Sequence, residues 1–316
     1  MYRIRKIFYP ELFQGKYKKK NYFEGWYFKL IDPTMKHAIA VIPGVSIGSG
    51  MQDSHAFIQV LLNNNTVEIF RFHYTDFSYN EKKFEIRIAN NYFSRDKIHL
   101  NLIGKDIIIK GKLSFYNIIK LPKTILKPGI MGYFSYIPFM ECYHGIVNIH
   151  HNIQGFLGIC QNQIDFTSGY GYIEKDWGKS FPKSWIWLQS NHFGEYDVSV
   201  MFSIADIPLF GYSFPGFISF IRLAEEIYVF ATYTGAKLCQ LKILKDYIWI
   251  VLKDRKYYLK IKVYHTNGGI LKAPKNGFMK RDIIESINAK VEVQLTDIHR
   301  NIIFKGTGTN TGLEIM

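Results

Sequence analysis

Residues 257–264, YYLKIKVY, alternate Leu259, Ile261 and Val263 with Lys260, Lys262 and Tyr264. The same period of two recurs in KFEIRI at 83–88, IHLNLIG at 98–104, YDVSVMFSI at 196–204 and KVEVQL at 290–295. Such alternation sends one face of an extended strand to a core and the other to water, which is the habit of antiparallel sheet. NNN at 63–65, KDR at 253–255 and TNGG at 266–269 separate the runs at hairpin spacing. Helix is confined to a turn near Pro10–Gln14 and another around Lys280–Ser286.

So many strands exceed what one small barrel needs. The pattern predicts an all-β chain of two consecutive antiparallel β-barrels or sandwiches, closed so that no long edge is left unpaired. The expected seam lies between about Gly155 and Gly169, dividing an N-terminal domain over 1–165 from a C-terminal domain over 166–316. Each half opens on an aromatic, acidic segment: NYFEGWYFKL at 21–30 and GYIEKDWGKSF at 171–181. A duplicated β-domain leaves that kind of trace.

Composition narrows the function classes. With 25 Phe and 22 Tyr in 316 residues, large rings are available for sheet cores or for the walls of an apolar pocket. The net charge of +14 is lysine spread along the chain, with one cluster at Lys16, Lys18, Lys19 and Lys20. It reads as solvated surface, and no nucleic acid is expected as partner. The three cysteines, Cys142, Cys160 and Cys239, are widely spaced and odd in number, which suits a reducing cytoplasm. The N-terminal twenty residues lack the apolar core of a signal peptide, and no stretch approaches the ~20 apolar residues of a spanning helix. The expectation is a cytoplasmic protein, with peripheral membrane contact left open. GVSIGSG at 44–50 lacks the lysine and the following helix of a phosphate-binding loop, so no nucleotide cofactor is expected.

Four places could carry chemistry. MECYHGIVNIHHNIQG at 140–155 sets Glu141 and His144 near His150 and His151. On a regular strand His144 and His150 share a face while His151 points away. Polar side chains on a half-exposed strand are favoured there over a metal site, and no metal is expected. QDSHAF at 52–57 puts His55 at a strand start, as a satisfied polar group or as a general base. FEGWYF at 23–28 carries Glu24 and Trp26, and IEKDWG at 173–178 carries Glu174, Asp176 and Trp177. A carboxylate held against an indole loses solvation, which disfavours its ionised form. Such an acid can protonate an alkene, and the neighbouring rings can attract the resulting cation. The plainer reading is a tryptophan corner that plugs a barrel end, with Glu or Asp tying down turn amides.

KNYFEGWYFKL, MECYHGIV, GYGYIEKDWGKSFPKSWIWLQSN and LKAPKNGFMKRDIIES resemble, in order from residue 20 onward, the tocopherol cyclase family as it occurs in bacteria. The resemblance implies two lipocalin-like β-barrels and an isomerase, specifically an intramolecular lyase, that consumes no cofactor. In that chemistry a prenylated hydroquinone is protonated at a trisubstituted double bond, and a phenol oxygen attacks the tertiary cation. The implied ligand is a hydrophobic small molecule: a prenyl quinol, another isoprenoid or a lipid. Mapped onto this chain, Asp176 or Glu174 would supply the proton. Trp26, Trp177, Trp187 and Tyr172 would line the site, and Glu24, His55, His144 or Asn191 would orient the hydroxyls or take the phenolic proton. Strand parity sets a condition. Glu174 and Asp176 share one face and Lys175 and Trp177 the other, so a core-facing Trp177 turns both carboxylates away from that core. A non-catalytic lipid or prenylquinone binder and a β-barrel built for protein contact are the competing readings.

Overall fold

A computed structural model describes residues 6–209 and 212–316. Contacts divide the chain into two units: Met1–Pro182 with Gly269–Ile283, and Lys183–Gly268 with Ile284–Met316. Strand dominates the described residues, which form one nearly closed barrel sheet and a second sheet.

The first unit contains β1 (Tyr22–Ile31), β2 (Ala38–Ile47), β3 (His55–Leu62), β4 (Val67–His73), β5 (Phe77–Tyr79) and β6 (Glu85–Ile88). It continues through β7 (Asn91–Ser94), β8 (Lys97–Ile103), β9 (Ile108–Ile119), β10 (Cys142–Ile159), β11 (Asn162–Asp165) and β12 (Tyr170–Gly178). The sheet order is β4-β3-β2-β1-β12-β10-β9-β8-β7-β6-β5, with β11 paired to β10, and it curls into a nearly closed barrel. Because β12 is hydrogen-bonded between β1 and β10, the segment 166–182 completes the first unit. The sequence pattern puts it at the start of the second. The reason is topological: β12 returns to pair with the first strand of its own barrel, a closure that local alternation does not encode.

The second unit is built on β13 (Trp185–Ser190), β14 (Val198–Leu209), β15 (Tyr212–Leu223), β16 (Glu226–Ala231), β17 (Lys237–Ile243), β18 (Tyr247–Lys253) and β19 (Tyr257–Tyr264). After β20 (Gly269–Lys275) come β21 (Phe278–Asp297) and β22 (Ile302–Ile315), and the order is β16-β15-β14-β13-β22-β21-β19-β18-β17, with β20 paired to β21. The turn expected around Lys280–Ser286 is instead part of β21. There Ile283 and Glu285 are buried while Asp282 and Ile284 are exposed, so the period of two runs to Glu285 and slips at the buried Ser286. Near Pro10–Gln14 the chain does turn, and a short 3₁₀ segment follows at Gly15–Tyr17. Among the described residues no helix is long and apolar enough to cross a membrane.

Alternation explains both cores. In the first unit Trp26, Phe28 and Leu30 of β1 meet Ile39 and Val41 of β2, Ile58 and Val60 of β3, and Ile173 of β12. In the second, Ile186 and Leu188 of β13 join Val200, Phe202, Ile250, Ile261 and Val293. Trp26 is fully buried and stacks at 6.0 Å, with an 11° interplanar angle, on Phe84. Deleting such a ring removes its transfer energy and leaves a cavity. Trp26→Ala should therefore lower the unfolding free energy by about 3–5 kcal/mol in urea titration. A loss below about 1 kcal/mol would mean the ring does not fill the core.

Candidate functional site

The strand pairing of β1 with β12 generates two opposite faces with different chemistry. Trp26 lies opposite Lys175 and Glu24 opposite Trp177, while Tyr27 lies opposite Glu174 and Gly25 opposite Asp176. Parity then sends Glu24, Trp26, Lys175 and Trp177 to one face, and Tyr172, Glu174 and Asp176 to the other.

On the inner face Glu24 and Lys175, neither of them exposed, form an ion pair. The Lys175 ammonium also donates to the carbonyls of Pro10 at 2.7 Å and Leu12 at 2.6 Å. The Glu24 carboxylate accepts the amides of Gln14 at 2.8 Å and Gly15 at 3.0 Å, and the Tyr22 hydroxyl at 2.5 Å. Trp26 donates its indole N–H to the Glu11 carbonyl at 2.9 Å, and the Glu11 carboxylate pairs with Arg95. A buried charge is tolerable only when paired and fully hydrogen-bonded. Here all three ammonium protons have acceptors. Burial lowers the Lys175 ammonium from its ordinary range, and Glu24 opposes that fall. Burial, with Glu24 beside it, holds the Tyr22 phenol well above its ordinary range, so it remains a donor. The ammonium stands 4.6 Å from the Trp26 ring and 4.9 Å from the Trp177 ring. The indole cage that the sequence offers to a substrate cation is filled by the chain's own cation.

On the opposite face four side chains from β10 and β12 join. His144 lies opposite Asp176, and its Nδ1 is 2.9 Å from an Asp176 oxygen. Its Nε2 is 3.5 Å from the Glu174 carboxylate, which accepts the Tyr172 hydroxyl at 2.5 Å. Glu174 is nearly buried, whereas the Asp176 side chain is 23% exposed and His144 13%. Burial, with Glu174 adjacent, raises the Tyr172 phenol well above its ordinary range and keeps it protonated. The Nδ1 contact with Asp176 is a hydrogen bond, whereas Nε2 approaches Glu174 only at ion-pair distance. His144, Glu174 and Asp176 are, among the described residues, the one group of three metal-ligating side chains with donor atoms within 4.8 Å. The three side chains are close enough to pass a proton among them and close enough to share one ion.

Gly25, directly across from Asp176, leaves that part of the face without a side chain. A Cβ placed there would meet Ile42, Pro43 and Phe57 only at 3.9–4.0 Å, an ordinary contact distance. Packing does not demand glycine at this position. At Gly171 it does: a Cβ would stand 2.2 Å from the His151 Nε2.

The remaining sequence candidates fall elsewhere. His55 begins β3, where burial, with Arg71 nearby, lowers its pKa to about 4. It is therefore a neutral imidazole at neutral pH. His151 is fully buried against Phe115, with ring centroids 4.2 Å apart, and burial keeps it neutral. His150 packs against Tyr170, ring centroids 4.8 Å apart, and Tyr170 shares the parity of Glu174 and Asp176, so His150 keeps the face of His144 while His151 turns inward. The irregularities between Ile146 and Asn148, and between Asn148 and His151, together restore the parity count along β10. His150 is not among the three side chains whose donor atoms converge. Trp187 and Asn191 belong to the second unit, with Trp187 on the strand face opposite Ile186 and Leu188. Lys175 went unremarked as a site residue, although a lysine between Ile173 and Trp177 on an apolar-facing register was the available signal. Gly25 left no signal of its own.

Comparison with known proteins follows the same lines. The sequence model described as "Tocopherol cyclase-like" matches residues 119–316. The chloroplastic tocopherol cyclase of Zea mays is 28% identical over 109 residues, which is 33% of this chain and 23% of that protein. The match thus spans under a quarter of the maize protein's length. Among solved structures, CghA with Sch210972 superposes at a TM-score of 0.57 and 11% identity, covering 93% of this chain and 88% of that one. CghA without the compound gives 0.56 and 10% identity over 95% of this chain and 92% of that one. At such identity these likenesses bear on the fold alone.

Two measurements check the site. Lys175→Ala strands a buried carboxylate and should cost about 3–5 kcal/mol of stability. The double variant Glu24→Gln with Lys175→Met should cost clearly less than the two single changes summed, as a double-mutant cycle reads; strict additivity would deny the pairing. His55 has its folded pKa below the unfolded value of 6.5, which fixes the sign of its contribution. That stability is fully present above pH 6.5 and is lost as pH falls through 6.5 toward 4. His55→Gln should flatten this part of the acid unfolding curve, and an unchanged slope would contradict the burial of His55.

Proposed function

From the premise that the chain belongs to the tocopherol cyclase-like family, we propose that it is an isomerase closing a ring on a prenylated hydroquinone by proton transfer at Tyr172, Glu174, His144 and Asp176. The observation that carries this reading is the His144 imidazole held between two carboxylates on a partly open strand face.

The reaction needs an acid strong enough to protonate an alkene and a base to collect the phenolic proton. A relay of four linked groups supplies both. Asp176, the more open carboxyl, delivers a proton to the less substituted alkene carbon, and the alkene's electron pair forms the new C–H bond. The phenol oxygen then bonds to the tertiary cation and releases its proton to the relay through His144. One proton enters the substrate and one leaves, so the product is an isomer and no electrons are exchanged. Glu174, fixed by the Tyr172 hydroxyl, stands 3.5 Å from the other ring nitrogen and favours the charged imidazolium. The negative carboxylates beside the reacting carbon favour the developing positive charge.

For a carrier role, a cavity wide enough for the ligand would be needed inside the first barrel. Its interior is filled by Trp26, Phe28, Phe84, Phe93 and Phe115. A cavity of about 210 Å³ near Leu62, Ile159 and Phe166 falls below the ~300 Å³ at which small-molecule sites begin, too little for a quinol ring with its prenyl tail.

Incubation with a prenyl hydroquinone and chromatographic detection of the cyclised isomer tests the reading. His144→Gln and Asp176→Asn should each cut kcat by about 100-fold or more while melting is little changed. Gly25→Ala should hold or slightly raise stability, since glycine is unfavourable in a strand, yet slow turnover by crowding the approach to Asp176. Full activity in both relay variants would place the acid elsewhere.

A further inference from the structure

We propose that the segment joining β9 to β10, residues 120–141, docks the protein on the surface of an anionic lipid bilayer. Its sequence, KLPKTILKPGIMGYFSYIPFME, holds three lysines and no acidic residue before Glu141. Among its large apolar side chains Ile125 is 79% exposed, Leu126 75% and Phe139 95%. Tyr133 and Tyr136 are exposed beside them. Water-facing apolar groups this large and this close together mark an interaction surface.

The segment holds these groups in place. Leu121, Ile130, Met131 and Met140 are buried and anchor it to the first unit. Reciprocal backbone bonds between Thr124 and Lys127, at 2.9 and 3.1 Å, close a tight turn with Ile125 and Leu126 at its tip. The Tyr136 hydroxyl donates to the Ile125 carbonyl and joins the turn to the second half of the loop. Phe139 has a φ of +65°, a left-handed backbone that a bulky side chain adopts only at a cost. That cost, with the ring almost wholly in water, suits a group whose favourable contacts lie outside the chain.

The chemistry of the rim identifies the occupant. Lys120 and Lys127 flank the apolar tips in sequence, while Lys123 donates to the Phe8 carbonyl at 2.7 Å with Tyr9 beside it, its ring 5.7 Å from the ammonium. Apolar tips, flanking lysines and tyrosines at the margin match the three layers of a bilayer boundary: acyl chains, anionic headgroups and the interface between them. Between Lys120 and Glu141 the segment's own charges are all positive, which complements an anionic surface. The loop also runs up to the relay strand: the His144 amide donates to the Met131 sulfur at 3.1 Å, and the Tyr143 hydroxyl to the Ile137 carbonyl at 2.8 Å. Docking stands on the exposed surface alone. Its use, delivery of a membrane-dissolved substrate toward His144, rests on the proposed isomerase reading.

Co-sedimentation of the full chain with vesicles of phosphatidylcholine and phosphatidylglycerol, against phosphatidylcholine alone, tests the docking. Binding should require the anionic lipid and weaken with salt. Ile125→Ser with Leu126→Ser and Phe139→Asn should weaken it about tenfold or more, asparagine being tolerant of the left-handed backbone. Lys120→Gln with Lys127→Gln should weaken it about tenfold. Turnover of a detergent-dispersed prenyl hydroquinone by the apolar variant should match wild type, so a failed isomerase reading leaves vesicle binding intact and distinguishable. Absence of wild-type binding to anionic vesicles, or undiminished binding by the apolar variant, overturns the proposal. Self-association that the same substitutions abolish, without vesicle binding, overturns it in favour of an interface between copies.

Discussion

The ion pair between Glu24 and Lys175 joins three parts of the first unit that are far apart in sequence: β1, β12 and the N-terminal segment that supplies the Pro10 and Leu12 carbonyls and the Gln14 and Gly15 amides. Neither charge could stay buried without the other, and neither could be saturated without those backbone groups. The pair therefore specifies how the chain enters the barrel as well as how it is held. It also fixes parity. Once Lys175 faces inward between two indoles, Glu174 and Asp176 must face the other way. The acidic chemistry of this segment is thereby separated from its aromatic chemistry.

That separation alters what a mechanism can use. A cyclisation that depended on Trp26 and Trp177 to shelter a carbocation would have to displace an ammonium already seated there. Hydrogen-bonded carboxylates on the outward face need no such displacement. Both lie on β12 beside His144 of β10, so sheet geometry, rather than a loop, holds Tyr172, Glu174, His144 and Asp176 in register. Glycine at position 25 keeps the approach to Asp176 free of a side chain.

Much of this was legible in the sequence. The alternation at 257–264 and 290–295 predicted the strands that build the second core, and the same reasoning placed the two carboxylates of β12 on one face. The plainer reading of FEGWYF, an indole plug with an acid tying down turn amides, describes what Glu24 and Trp26 do. What stayed hidden was long-range. Lys175 finds its carbonyl acceptors more than 160 residues upstream, and no local pattern announces a lysine that is fully buried. Simple parity separates His150 from His151 correctly, but it does not show that His150 lies apart from the set of His144, Glu174 and Asp176. Trp177 and Trp187, ten residues apart, read as one aromatic cluster, yet the chain passes from one unit to the other between them.

Hydrogen exchange at the Gln14 and Gly15 amides tests the central claim most directly, because both donate to Glu24. If the buried pair holds the N-terminal segment in the barrel, these two amides exchange as slowly as those of β1 in the native protein and become fast in Lys175→Met while β1 remains protected. If they exchange at the rate of an exposed loop in the native protein, the pair does not organise the unit.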